Sequence, residues 1–333
     1  VSTHRQLLQR DADQLDRRGA QGRIRFGHGD LHMHNIALLD GEPILFDCLE
    51  FNDDLATVDT LYDLSFLLMD FWRRGSKREA NIVFNRYFDL SPDDEDSVGL
   101  LPLFMSVRAL IRAHVCAAQS VQHDHSPDLT AEARHCLELA EGLLDPAKTM
   151  LLAVGGLSGT GKSTVAREVG GKIGRAPGGR IIRSDVVRKR LLGLPPEARL
   201  PPVSYTPASS TVVYTEMRRL ASSILKAGHC VIADAVFSQI TERDAIEVIA
   251  ASAAADFKGV WLETTEATRL ARISARAPDA SDADADVARS QERLAPTQTG
   301  AWVRLSADGY LAETTRRLSD VLTSSRENDC DEK

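Results

Sequence analysis

The sequence predicts an α/β fold in which a mostly helical first part precedes a second part built on a parallel β-sheet. In the second part, apolar runs of strand length alternate with amphipathic stretches of helix length, the pattern of βαβ units. A glycine-rich loop follows the first of these runs and leads directly into a helical pattern. In the first part, apolar residues recur mainly at helical spacing, with one short strand–turn–strand pattern.

Length and charge limit the classes of protein that this chain can represent. Its 333 residues, 43% of them hydrophobic, suffice for two domains with separate cores. The formal net charge of -8 argues against broad binding to nucleic acid or to an anionic membrane, because both need a basic surface. No apolar run approaches the roughly 18–20 residues of a membrane helix. We therefore expect neither a nucleic-acid partner nor a membrane association.

Cysteine usage bears on the location of the protein. The five cysteines are scattered without CxxC spacing, which is typical of buried, reduced thiols rather than of disulfides or a zinc site. We therefore expect a cytoplasmic protein.

The composition changes near residues 145–149, which predicts domains at residues 1–147 and 148–325 and a tail at 326–333. In the first part, Ile36–Leu39 and Ile44–Phe46 flank a predicted turn at residues 40–43. Helical spacing follows, first around Leu64 and Leu68 and then around Val107 and Leu110. The predicted strands of the second part are Met150–Val154, Arg180–Arg183, Cys230–Ala233, Gly259–Leu262 and Trp302–Leu305.

The glycine-rich loop has the GxxxxGK[ST] spacing of a phosphate-binding P-loop, between a predicted strand and a predicted helix. Glycines let backbone N–H groups converge on phosphates without obstruction by Cβ, at a helix N-terminus that favours anions. In such a loop Lys162 reaches the β- and γ-phosphates, and the Ser163 hydroxyl is a ligand of Mg²⁺. The sequence therefore predicts binding of ATP with Mg²⁺. The predicted nucleotide-binding residues are Gly156, Ser158, Gly159, Thr160, Gly161, Lys162, Ser163 and Thr164.

Acidic residues follow the next two predicted strands. Asp185 comes just after the second strand, with Arg188 close behind it, and Asp234 comes at the end of the third. The carboxyl ends of parallel strands meet at the edge of the sheet where ligands bind in α/β folds. We predict that Asp234 is a further ligand of Mg²⁺ and that Asp185 and Arg188 lie at this ligand-binding edge. Capping of helices is the alternative role for the two acids.

Three arginines come later at helical spacing, Arg269, Arg272 and Arg276, before an acidic stretch at residues 278–286. An arginine-bearing helix followed by a mobile segment is typical of a lid that closes over the transferring phosphate. A solvated helix face is the alternative. The candidate catalytic residues of the second part are Lys162, Asp185, Arg188, Arg272 and Arg276.

These motifs resemble those of small P-loop kinases of the gluconate-kinase and shikimate-kinase type, and especially predicted kinases grouped with AAA-type ATP-binding domains. The resemblance covers residues 149–325 and implies a three-layer P-loop kinase domain in which Asp185 and Arg188 face the phosphate acceptor. It implies transfer of the γ-phosphate of ATP to a hydroxyl of a small molecule. An ATP-dependent regulatory module without transfer is the alternative, and the net charge disfavours a nucleic-acid end kinase.

A second motif lies in the first part, where His28-Gly-Asp30 is followed by Asn35 and, after the hairpin, by Asp47. A carboxylate that accepts a hydroxyl proton, an amide and a further aspartate form a phosphotransfer set, in which the last two hold Mg²⁺. The set resembles the HGDxxxxN loop in the C-terminal lobe of aminoglycoside-phosphotransferase and choline-kinase-like proteins. The resemblance implies that Asp30 is the catalytic base, with Asn35 and Asp47 as metal ligands. It also implies that Asp59 and Asp63 are structural acids.

The residues before His28 are predicted to form a helix and a loop, not the glycine-rich lobe that holds ATP in that family. Either the chain is a fragment of a longer protein, or the first part is a scaffold or substrate-binding module. We expect this part not to phosphorylate a substrate by itself. A metal cluster of His28, His32 and His34 is a further alternative. The combination of both parts resembles bifunctional aminoglycoside phosphotransferase/ATP-binding proteins.

Overall fold

The structure is a computed structural model that describes residues 2–275, 279–296 and 299–323. Contacts divide the chain into two compact units. Unit 1 contains the residues up to Phe84, together with Asp96–Pro146 and Arg175–Pro177, and unit 2 contains Asn85–Glu95, Ala147–Gly174 and the described residues from Gly178 onward. The main division at residue 146 falls where the composition changes. The predicted tail at 326–333 lies outside the described residues.

Unit 1 is mostly helical. Its helices are α1 (Ser2–Arg10), α2 (Ala12–Ala20), α3 (Asp53–Ala56), α4 (Thr60–Arg73), α5 (Lys77–Leu90, entering unit 2 after Phe84), α6 (Leu101–Gln122) and α7 (Pro127–Gly142). 3₁₀ turns occupy Met33–Asn35 and Pro92–Leu100, of which the second belongs to unit 2 up to Glu95. Two antiparallel pairs join β1 (Ile24–Phe26) to β4 (Thr57–Asp59) and β2 (Ile36–Leu39) to β3 (Glu42–Leu45).

Helix α4 forms where the sequence predicts it. Oδ1 of Asp59 accepts a hydrogen bond from the N–H of Leu61 at 2.7 Å and so caps the first turn, a contact typically worth about 1 kcal/mol. Leu64 and Leu68 recur at helical spacing and are buried. Helix α4 packs on α6, which also packs on α7, and these three helices carry much of the core of unit 1.

The predicted hairpin is present, but its turn is shorter than predicted. Only Asp40 and Gly41 form the turn, with φ of +54° and +86°, the positive values that a two-residue type I′ turn requires. Glu42 and Pro43, predicted as turn residues, instead belong to β3 and pair with β2. Pro43 is tolerated there because an edge strand has one unpaired side.

One helical stretch in the described residues, Pro92–Gln122, has the length and composition of a membrane span. The sequence prediction missed this stretch, because it considered only unbroken apolar runs and not the mean hydropathy of a whole helix. Of the most apolar window of this stretch, 56% is buried inside the protein. A packed core helix passes the same test, and α6 has α4 and α7 as packing partners.

The described cysteines are all free thiols. Cys116, Cys136 and Cys230 are buried, as predicted, whereas Cys48 is partly exposed. Cys330 lies outside the described residues.

Unit 2 is a helix–sheet–helix sandwich. Its described strands are β5 (Met150–Gly155), β6 (Arg180–Arg183), β7 (Val231–Asp234), β8 (Asp256–Glu263) and β9 (Val303–Ser306), which pair in parallel in the order β6-β7-β5-β8-β9. Its described helices are α8 (Lys162–Gly170), α9 (Ser184–Leu191), α10 (Pro207–Lys226), α11 (Ile240–Ser252), α12 (Glu266–Ser274), α13 (Ala285–Ser290) and α14 (Leu311–Thr323). The 3₁₀ turns are Pro202–Tyr205 and Gln291–Leu294.

Side chains of the central strand β5 alternate between two helical layers. Leu152 and Val154 belong to a buried cluster that also contains Val165 of α8 and Leu318 of α14. Because successive side chains of a strand point to opposite faces, the equally buried Leu151 faces the other layer, where α10 and α11 pack on the sheet. The predicted three-layer α/β architecture is confirmed.

The parallel register brings three strand ends to one edge of this sheet. Asp234 of β7 pairs with Val154 of β5 and with Arg183 of β6. The P-loop follows β5, and α9 follows β6 directly. The sequence motifs of the second part therefore converge at this edge.

Candidate active site

The P-loop joins β5 to α8 through three glycines with positive φ, namely Gly156 at +143°, Gly159 at +87° and Gly161 at +95°. A Cβ on Gly156 would lie 2.7 Å from the carbonyl oxygen of Leu262, and one on Gly159 would lie 2.7 Å from that of Arg269. Only glycine satisfies both the backbone angles and these close approaches. The loop is therefore fixed against β8 and α12.

We expect Gly159→Ala to lower the free energy of unfolding by roughly 1–3 kcal/mol more than Gly193→Ala, the extra cost of overpacking. Both glycines have positive φ, but a Cβ on Gly193 would meet no heavy atom within 4 Å. The control variant therefore isolates the backbone strain. Urea unfolding of the two variants measures the difference, and equal losses would contradict the close contact between the loop and Arg269.

A cavity of about 900 Å³ opens beside the P-loop within unit 2. Among the predicted nucleotide-binding residues, all those from Ser158 to Thr164 line it, whereas Gly156 is buried and does not. The other predicted residues on its wall are Asp185, Arg188, Asp234 and Arg272. Arg276 lies outside the described residues. Apart from Gly156, the structure thus brings the described candidates of the second part to one cavity.

Ser163 and Asp234 form the pair predicted to hold Mg²⁺. Oγ of Ser163 donates a hydrogen bond to Oδ2 of Asp234 at 2.5 Å, and Asp234 is buried. Hydroxyl and carboxylate oxygens are the ligands that Mg²⁺ prefers, usually together with water and substrate phosphate. Asp234 caps no described helix, since α11 begins only at Ile240 with Gln239 at its N-cap. The pair fits a magnesium site beside the phosphates.

Lys162 begins α8, and its ammonium group is turned toward the loop itself. Its Nζ donates a hydrogen bond to the carbonyl oxygen of Leu157 at 3.0 Å. Burial lowers the pKa of Lys162, and the charges of Asp234 and Asp185 oppose this. A cation held in such a desolvated place interacts more strongly with an anion than it would in water.

Asp185 lies half-buried in the first turn of α9, on the wall of the cavity. It is not the N-cap of this helix, a position that Arg183 occupies. Burial raises the pKa of Asp185; the neighbouring Arg183 opposes the shift and Asp234 adds to it. A carboxylate with a raised pKa accepts a proton more readily than an ordinary one.

Arg188 lines the cavity, but its guanidinium group is largely bound by the protein. It donates to the carbonyl oxygen of Ser204 at 2.9 Å and to Oγ of Ser209 at 3.1 Å, and it stacks on the ring of Tyr205. The side chain thus holds the cavity wall around residues 204–210. Its predicted contact with the acceptor stays a prediction.

The arginines of α12 have different environments despite their helical spacing. Arg269 is 1% exposed, forms an ion pair with Glu292 and does not line the cavity. Arg272 donates to the carbonyl oxygens of Thr160 at 3.2 Å and Ala307 at 2.7 Å. The prediction that Arg269 shares a phosphate-facing stripe with Arg272 is therefore wrong, because packing buries Arg269 behind the P-loop.

The described part of the acidic stretch carries ion pairs. Asp279 accepts two hydrogen bonds from Arg183, at 2.8 and 2.9 Å, and Asp282 lies 3.2 Å from Nζ of the fully buried Lys189. Burial disfavours the charge of Asp279, but the hydrogen bonds from Arg183 outweigh it and lower the pKa of this carboxyl. These two cations hold the stretch at the cavity wall.

Sequence reasoning missed several residues of the cavity wall, namely Arg183, Arg199, Tyr205, Tyr214, Glu242 and Gln291. Arg183 had a usable signal, because it ends β6 directly before the segment that carries Asp185. The others lie in loops or helices outside any motif, and only long-range packing brings them to the cavity.

In unit 1 the structure brings the three predicted residues of the HGD motif together. Nδ2 of the buried Asn35 donates to Oδ2 of Asp30 at 3.3 Å and lies 3.5 Å from the carbonyl oxygen of Asp47. The side chain of Asn35 therefore links both ends of the motif. Its role and that of Asp47 as metal ligands stay predictions.

The two acids predicted to be structural in unit 1 bind a backbone N–H group and a buried arginine. Asp59 pairs with the buried Arg18 at 2.6 Å, and Oδ2 of Asp63 accepts the N–H of His28 at 2.8 Å. The contact of Asp63 fixes the start of the HGD motif on α4, whereas Asp59 pairs the charge of Arg18.

The motif histidines of unit 1 bind different partners. Nε2 of His28 lies 3.0 Å from the carbonyl oxygen of Phe46, and Nε2 of His34 lies 2.8 Å from Arg74. Within the described ranges, no group of three or more His, Cys, Asp or Glu side chains is arranged to hold a metal ion.

Two family models match the chain, one in each part. Residues 151–297 match the AAA domain, and residues 2–101 match the Phosphotransferase enzyme family. Uncharacterized proteins of Mycobacterium tuberculosis (strain ATCC 25618 / H37Rv) and Mycobacterium bovis (strain ATCC BAA-935 / AF2122/97) are each 35% identical over 285 residues. Each match covers 84% of this chain and 56% of the relative. The chain thus spans about half the length of these curated relatives.

The matched solved structures include a gluconokinase and a sugar kinase. The match to a gluconokinase from Sinorhizobium meliloti 1021 has 19% identity and a TM-score of 0.37, and covers 52% of this chain and 95% of that chain. The match to a sugar kinase from Janibacter sp. HTCC2649 has 17% identity and a TM-score of 0.41, and covers 52% and 94%.

The matches coincide with the two motif regions predicted from the sequence. One match lies over the P-loop and the other over the HGD motif. The chain therefore joins a region that matches the phosphotransferase enzyme family model to a P-loop region that matches the AAA domain model.

Proposed function

We propose that unit 2 binds ATP with Mg²⁺ and transfers the γ-phosphate to a hydroxyl group of a small molecule in the cytoplasm. The observation that carries the proposal is the shared cavity. The P-loop and the Ser163–Asp234 pair line it together with Asp185. A volume of about 900 Å³ leaves room for an acceptor beside the phosphates.

The residues of the chain divide the reaction between them. Backbone N–H groups of the P-loop and Lys162 bind the phosphates, for which Lys162 must release the carbonyl oxygen of Leu157. Asp185 orients the acceptor hydroxyl and accepts its proton as the new O–P bond forms. The bond between the γ-phosphorus and the bridging oxygen breaks, and ADP leaves with that oxygen. Mg²⁺, held by Ser163 and Asp234, would neutralise charge on the phosphate oxygens.

The other side chains on the cavity wall favour a polar acceptor. Tyr205, Tyr214 and Glu242 supply hydroxyl and carboxylate groups, and Arg199 adds a positive charge. Convergent hydrogen-bonding groups of both kinds suit a compound with several hydroxyl groups. Sugars, sugar acids and aminoglycosides are therefore the acceptor classes to screen.

The test is ADP release from Mg-ATP by the purified protein across a panel of such hydroxyl compounds. We expect at least one compound to raise the rate clearly above the rate with water alone. A rate that stays at the water level with every compound would contradict transfer and favour the ATP-dependent regulatory module instead.

We expect Asp30→Asn to leave acceptor-dependent ADP production by this chain within about twofold of the wild type. The proposed chemistry takes place in unit 2, whereas Asp30 lies in the separate unit 1. Asp185→Asn is the matched control, since it makes the same substitution at the proposed base. A large loss of turnover in a well-folded Asp30→Asn variant would place the active site in unit 1.

A further inference from the structure

The side chain of Gln291 occupies a hydrogen-bond donor of the P-loop. Its Oε1 accepts the backbone N–H of Ser158 at 2.8 Å, and both residues line the cavity. Backbone N–H groups of such a loop bind phosphate oxygens. A neutral amide oxygen thus sits on one of the donors that a bound nucleotide needs.

Lys162 likewise has an acceptor within the protein, the carbonyl oxygen of Leu157 at 3.0 Å. The groups that carry these two acceptor oxygens differ in whether they can also donate a hydrogen bond to a bound nucleotide. The carbonyl of Leu157 is a backbone acceptor and cannot contribute a donor. The side chain of Gln291 carries an NH₂ group beside its oxygen and can donate hydrogen bonds after a rotation of its amide.

The position of Gln291 is fixed by its neighbour in the chain. Glu292 forms an ion pair with Arg269, which is 1% exposed. The backbone of Arg269 in turn lies against Gly159, where a Cβ would come within 2.7 Å of the carbonyl oxygen of Arg269. The turn that carries Gln291 is therefore tied to the element on which the P-loop rests.

We propose that Gln291 is a nucleotide-specificity residue that recognises the terminal phosphate of a nucleoside triphosphate. When the nucleotide binds, the amide of Gln291 releases the N–H of Ser158, which then binds a phosphate oxygen. The amide rotates and donates its own N–H to the γ-phosphate. ADP lacks this phosphate, so Gln291 favours the triphosphate over the product. The inference rests on the proposed binding of ATP by unit 2.

The test compares the affinities for Mg²⁺ with a non-hydrolysable ATP analogue and with ADP, measured by calorimetry. We expect Gln291→Ala to weaken binding of the analogue about tenfold and to change ADP binding less than about threefold. Gln291→Glu should weaken analogue binding further, because its charge repels the γ-phosphate. The control is Arg289→Ala, a nearby exposed residue outside the cavity wall, which should alter neither affinity.

The outcomes separate this inference from the proposed function. Suppose that the wild type binds the analogue and that both Gln291 variants keep the wild-type ratio of analogue affinity to ADP affinity. The specificity role of Gln291 would then be wrong, while the proposed binding of ATP would stand. A parallel loss of both affinities with a lower melting temperature would mean that Gln291 only supports the loop, and would also overturn the role. A wild type that binds neither nucleotide would overturn the proposed function as well.

Discussion

Replacing Lys162 with alanine is expected to weaken binding of Mg-ATP by about 10- to 100-fold, the cost of losing a hydrogen bond to a charged group. Lys162 is the first residue of α8 and lies on the cavity wall beside the loop amides. Burial desolvates its ammonium group, which strengthens its attraction to an anion, and alanine removes the charge without altering the backbone of the helix.

Calorimetric titration with Mg-ATP measures this effect. Lys172→Ala is the matched control, because Lys172 is an exposed lysine just beyond the same helix. It should bind ATP like the wild type. Unchanged affinity in Lys162→Ala would refute the assignment of the P-loop as the nucleotide site.

The second large effect is expected for Asp185→Asn, which should slow transfer to the acceptor by about 10²–10⁴-fold, the usual contribution of a positioned acid–base group. The affinity for ATP should change by less than about tenfold, because the loop amides, Lys162 and Ser163 bind the phosphates. Asparagine keeps the size of the side chain but removes its charge and its ability to accept a proton.

Asp234→Asn provides the contrast, since Asp234 accepts the hydrogen bond of Ser163 in the proposed magnesium site. This variant should lose Mg²⁺-dependent ATP affinity as well as rate. Steady-state kinetics and ATP titrations on both variants distinguish the two roles. Normal turnover by Asp185→Asn would remove Asp185 from the acceptor side.

The pKa of Asp185 adds a test that needs no acceptor. Burial raises this pKa, so the ionised carboxylate is less favourable in the fold than in the unfolded chain. The stability that the neutral carboxyl supplies is present below the unfolded pKa and is lost as pH rises through the folded pKa. Asp185→Asn should therefore be more stable than the wild type at pH 7, with a gain that shrinks below about pH 4. Urea unfolding at both pH values measures it, and a destabilised variant at pH 7 would contradict the burial of this charge.

Local signals in the sequence predicted the strands of unit 2 and the positions of its main site residues. The strand runs, the P-loop spacing and the acids at strand ends depend only on neighbouring residues and on the rule that parallel strands end at one edge. Asp185 and Asp234 could therefore be placed near the P-loop before the fold was known.

Features that depend on long-range packing could not be predicted in this way. Arg269 and Arg272 share one helical spacing, yet Arg269 is buried, with its backbone against Gly159 and its guanidinium group bound by Ala288 and Glu292. Gln291 belongs to no motif and meets Ser158 only through the fold. Strands β1 and β4 of unit 1 have three residues each, too few to show a period, and they pair across a long stretch of chain.

The most direct test of the central claim is the fate of the terminal phosphate of ATP labelled at the γ position with ³²P. The wild-type protein is incubated with Mg²⁺ and the most active hydroxyl compound of the panel, and the products are separated. Transfer through unit 2 predicts label on the acceptor in equal amount to the ADP formed, and loss of that label in Lys162→Ala but not in Asp30→Asn. Label that appears only as inorganic phosphate, at the same rate with and without the acceptor, would contradict the claim.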